Sequence, residues 1–129
     1  MQNSYEKTYK KYADKTIELI SSVDKHIKNI NSIEDRPWEI MFFLPQTNHL
    51  INEIDKHIYS LGLASNKLKE KVSLSFLLEE QSNELIKEKK FLTKLKDILL
   101  LCDGATHNLE YAMHCSKVFS LCQNMYKNN

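Results

Sequence analysis

Apolar residues recur along this chain at alternating steps of four and three. Tyr5, Tyr9, Tyr12, Thr16, Leu19, Val23, His26, Ile30 and Ile33 keep that rhythm, which holds them on one face of a helix. Ile17, Ile20 and Ile27 widen the stripe beyond a two-stranded seam, so the helix is predicted to pack on more than one neighbour. A second stripe runs through Phe43, Thr47, Leu50, Ile54, His57 and Leu61. A third runs through Leu74, Leu78, Gln81, Leu85, Glu88, Leu92, Leu95, Leu99 and Cys102. A fourth segment carries Leu109, Tyr111, Met113, Cys115, Val118, Phe119 and Cys122 around more than half its girth, a width that implies burial on two sides or a surface kept for a partner.

Punctuation between the stripes sets the boundaries. Asp35 can cap the second helix with Pro37 in its first turn, and Gly62 can end it in a left-handed conformation. Pro45 removes a backbone donor and crowds the carbonyl four residues back, so the second helix is expected to kink there. Ser65 can cap the third helix and Thr106 the fourth. The third is expected to run unbroken through Gln81, Ser82 and Asn83. With two glycines and two prolines in 129 residues, the prediction is all-α: an antiparallel four-helix bundle of long, coiled-coil-like helices near 4–33, 36–61, 66–102 and 105–126. Residues 1–129 read as a single domain. Leu78, Leu85, Leu92 and Leu99 fall seven apart, but with Gln81 and Glu88 in the same seam they fit an intramolecular core better than a zipper.

Composition narrows the partners. Eighteen basic against seventeen acidic residues give a net charge of +1, which supplies no long-range pull toward nucleic acid or anionic lipid. Arg36 is the only arginine, and bidentate reading of phosphates and guanines is mostly arginine work, so no nucleic-acid partner is expected. Abundant Lys, Asn and Ile point to an AT-rich genome, bacterial or phage. No apolar run approaches the ~18 residues that span a bilayer, and the first residues lack a secretory leader. The expected location is cytoplasmic, a leaderless secretion route remaining open. Cys102, Cys115 and Cys122 are odd in number and lack CxxC spacing, which fits buried free thiols better than a disulfide framework.

Candidate chemistry is sparse. No GxxxxGK[ST] or GxGxxG phosphate cradle exists, and no nucleophile-base pattern stands out, so no enzyme activity and no cofactor are expected. Distances along the helices place His26 and His114 at similar heights, with Glu110 one turn from His114, a three-ligand set of the kind zinc accepts. The better candidate is the segment 35–44, which concentrates the only Trp, the only Arg and two Phe. Arg36, Trp38, Met41 and Phe42 are expected to anchor a protein partner, because Trp and Arg dominate binding hot spots. The reading is a non-enzymatic protein–protein interaction module of adaptor, inhibitor, immunity or effector type, with a homodimer expected. A metal- or small-ligand-binding bundle is the alternative.

Overall fold

The computed structural model describes residues 4–127, with side chains through Met125. It contains α1 (Ser4–Asn31), a 3-10 segment (Pro37–Phe43), α2 (Leu44–Lys67), α3 (Val72–Asp103) and α4 (Asn108–Lys127), with no strand among the described residues. The four-and-three stripes are the core: Val23, Ile30, Ile54, Leu61, Leu92, Leu95, Leu99 and Val118 are fully enclosed. Leu78, Leu85, Leu92 and Leu99 are all buried within the chain, so the heptad row offers no seam to a second copy.

Packing among the helices is uneven. α1, α2 and α3 all touch one another, whereas α4 packs on α3, α1 and the 3-10 segment. Hydrogen bonds fix how α1 lies on α2, joining Thr16 to His57 and His26 to Thr47. The turn after α3 brings Cys115 of α4 against Cys102, and Gln123 of α4 reaches Glu34 beyond the end of α1 at 3.4 Å.

Several helix ends differ from the sequence expectation, each for a local reason. Gly62 lies inside α2 with no positive φ, because burial of Leu61, Ala64 and Ser65 on either side outweighs the ~1 kcal/mol that glycine costs a helix. Ser65 does not cap α3; it is buried and bonds Ser75 Oγ at 2.6 Å, clamping the end of α2 to the start of α3, whose cap position is Lys71. Asp35 does not cap either, its carboxylate facing Arg36 at 3.3 Å. α3 begins later than expected but runs unbroken for 32 residues, about 48 Å at 1.5 Å per residue. Thr106 acts just outside α4, where its backbone N–H and hydroxyl both donate to Glu110 Oε2 at 3.1 and 3.0 Å.

Before Pro45 the chain winds as a 3-10 helix. Pro45 has no N–H to give the Met41 carbonyl, and that oxygen is taken instead by the Leu44 N–H, three residues on. Pro45 then stands in the first turn of α2, where a missing donor costs nothing.

Candidate functional site

A 3-10 helix has three residues per turn, so it presents three edges. Pro37, Ile40 and Phe43 form the edge turned to the bundle: Ile40 is fully buried, and Phe43 meets the His26 ring edge-on with centroids 5.8 Å apart. The Pro37 carbonyl accepts the Tyr111 hydroxyl at 3.3 Å and the Cys115 thiol at 3.8 Å, which ties the segment to α4. The other edges face outward. Trp38 is 67% exposed and Phe42 77% exposed, values that make both rings surface features anchored on a fixed base.

The four residues expected to form one anchor are therefore divided. Trp38 shares its edge with Met41, which packs partly on the core. Phe42 shares its edge with Glu39 and, one turn back, Arg36. Arg36 is held by Glu39 at 2.6 Å and Asp35 at 3.3 Å, and the Glu39 hydrogen bond followed by the two carboxylate charges raises its already high pKa.

The metal candidates are not gathered. His26 is buried and bonds Thr47 Oγ1 at 2.7 Å. Glu110 and His114 are 3.8 Å apart on α4, but Glu110 is occupied at the helix start, where the Thr106 backbone N–H, then its hydroxyl, hold the carboxyl below the usual range. Among the described residues no three His, Cys, Asp or Glu side chains converge as a metal site would require. Cys102, Cys115 and Cys122 are buried free thiols; burial pushes Cys102 and Cys122 up to about 12, which keeps both in the unreactive protonated form.

No known protein family, curated protein or solved structure matches this chain. Its own first two helices are more informative. Residues 16–30 and 47–61 align without a gap, and seven of the fifteen positions are identical: Thr16/Thr47, Leu19/Leu50, Ile20/Ile51, Asp24/Asp55, Lys25/Lys56, His26/His57 and Ile27/Ile58. The heptad reading missed this repeat, although the shared Asp-Lys-His-Ile string would have disclosed it.

The repeat has a structural counterpart. Thr16 bonds His57 Nε2 at 2.8 Å and Thr47 bonds His26 Nε2 at 2.7 Å, so each helix offers a threonine to the other's histidine. The Thr47 hydroxyl donates back to the Phe43 carbonyl at 2.8 Å, and the Thr16 hydroxyl lies 3.1 Å from the Tyr12 carbonyl four residues earlier. Each histidine ring lies against an aromatic four residues before the threonine it bonds, His57 on Tyr12 of α1 and His26 on Phe43 at the end of the 3-10 segment. The Tyr12 carbonyl, an acceptor only, lies 3.1 Å from His57 Nε2, which assigns the proton to that nitrogen. Gln81 of α3 joins at one end, accepting from Thr16 at 2.8 Å. Thr16, His26, Thr47, His57 and Gln81, polar residues inside the seams, are thus matched to one another, which is how a buried polar group avoids a cost of about 1–3 kcal/mol.

Proposed function

We propose that this chain is a non-enzymatic interaction module that offers the outer edges of the 3-10 segment Pro37–Phe43 to another protein. The exposure of Trp38 and Phe42 on a segment whose third edge is buried carries this reading. Folding does not require these rings at the surface, and large aromatics held on rigid backbone are what protein interfaces use as anchors. Arg36 supports a protein rather than a nucleic-acid partner, since the chain's one guanidinium already faces two carboxylates. No helix among the described residues is long and apolar enough to cross a membrane.

The test is a paired measurement on Trp38→Ala and Phe42→Ala, with the partner co-purified from the native host. Affinity is expected to fall by about 2 kcal/mol or more, roughly 30-fold, for each ring that seats in the partner. The urea midpoint should stay near wild type, because the side chains removed are mostly in water already. A clear loss of stability with unchanged affinity would mean that the rings lid the core, and the reading would fail.

A further inference from the structure

The groove between α1 and α3 is filled over only part of its length. α4 lies along α3 beside Lys94, Ile98 and Cys102 and also packs on α1, burying its row Cys115, Val118 and Cys122. Toward the start of α3 the same two helices continue without α4, leaving an open groove of about 480 Å³. Ile20 and Leu77 form its apolar floor. Leu77 is 39% exposed, and Ile17, one turn before Ile20, is 64% exposed.

The border of this groove is acidic. Glu80 and Glu84 line it on α3, against one cation, Lys87, which lies 3.4 Å from Glu84. One turn above Glu84, the Glu88 Oε2 atom is buried without a hydrogen-bond partner. Burial first, then the nearby Asp24 and Glu84 charges, push the Glu88 carboxyl above its usual range. A carboxylate crowded by two others, with one oxygen left without a donor, is better accommodated once a cation comes near.

We infer that this stretch of the α1–α3 groove is a second interaction surface, the seat of an amphipathic helix from a protein partner that carries Lys or Arg beside its apolar stripe. Two features select that occupant. The groove continues the seat that α4 already fills, so its walls have helix-accepting spacing, and its apolar floor is bordered by carboxylates. From Leu77 to Lys87 the seat spans about 15 Å, nearly three turns of a bound helix. It is separate from the 3-10 segment and does not rest on the function proposed for that segment.

The probe is a fluorescein-labelled synthetic 18-residue helical peptide with leucine at i, i+3, i+4 and i+7 and lysine on the flanks, compared with its glutamate counterpart. Anisotropy should report micromolar binding of the lysine peptide and at least about tenfold weaker binding of the glutamate peptide. Glu80→Lys with Glu84→Lys, and separately Leu77→Lys, should each weaken the lysine peptide by about tenfold or more, whereas Asp97→Lys on another face should change it less than about twofold. Amide shifts in the unmodified protein should map the peptide to Ile20, Leu77 and Gln81, which keeps the test valid if a variant folds poorly. Trp38→Ala should leave peptide binding unchanged, so failure here is distinguishable from failure at the 3-10 segment. Equal binding of both peptides, equal loss in Asp97→Lys, or a dimer of this chain that Leu77→Lys dissociates would overturn the inference.

Discussion

Acid should loosen this protein through His26 before it reaches most of the carboxylates. The imidazole is 3% exposed, and burial lowers its pKa from 6.5 to about 4. Burial alone drives that shift, and among the described residues the ring bonds the Thr47 hydroxyl. That hydroxyl donates its hydrogen to the Phe43 carbonyl, so it can accept a hydrogen bond from the His26 ring but cannot compensate a full charge. The sign follows from which state holds the extra proton. Between pH 6.5 and 4 the unfolded chain binds a proton at this position and the folded chain does not, so stability falls as pH falls through that window. A displacement of 2.5 units at 1.36 kcal/mol each gives about 3 kcal/mol from this residue alone. His57, also lowered by burial, adds to the same trend.

Urea unfolding at half-unit steps from pH 7.5 to 4 measures the effect, and His26→Gln isolates it. Glutamine can still donate to Thr47 but cannot take up a proton, so the variant should lose less stability than wild type across the window. The difference between the two curves should approach about 3 kcal/mol at pH 4. Carboxylate titration is common to both and cancels. Parallel curves would show that His26 keeps an ordinary pKa in the folded protein, and the argument from burial would be wrong.

Gly62→Ala should stabilise the protein by about 0.5–1 kcal/mol, read from the urea midpoint, because the position is helical and a Cβ there meets nothing within 4 Å. Leu92→Ala and Leu95→Ala, at two fully buried seam positions, should each cost about 2–5 kcal/mol; near-neutral midpoints would mean that the α3 core is misplaced. Thr16→Val removes the hydroxyl that His57 and Gln81 share and should cost about 1–3 kcal/mol by calorimetry, more than a serine replacement that keeps the oxygen.

What the sequence disclosed about the fold was carried by spacing. Leu19, Val23, Ile30, Leu78, Leu85, Leu92 and Leu99 are buried where the four-and-three rhythm places them, since that rhythm is itself the geometry of one helix face. Helix ends were less legible, because a cap is a competition. Ser65 had the chemistry of a cap, but its hydroxyl found Ser75, a residue whose proximity no local pattern reveals. The exposed aromatics were legible as a concentration of unusual residues, but their division between two edges was not, because it depends on Pro45 forcing a three-residue turn. Zinc geometry failed at His26 for a related reason: height along a bundle is readable from numbering, whereas the direction in which a side chain points depends on its partner, here Thr47.

A helix that carries a threonine and a histidine ten residues apart is complementary to itself. Two such helices, laid with the order of their pairs reversed, satisfy each other twice, and nothing in the contact distinguishes one strand of the pair from the other. α1 and α2 retain that property, so their contact has the form of an association between identical subunits, now tethered within one chain. Gene duplication followed by fusion would convert such a symmetric pair into a covalent unit and release its two outer faces from identical duties. One copy could then acquire a helix such as α4 along its flank while the other kept a different neighbour. The matched pairs at Thr16, His26, Thr47 and His57 give the α1–α2 contact an approximate two-fold symmetry that α3 and α4, which pack unequally on the two helices, do not share.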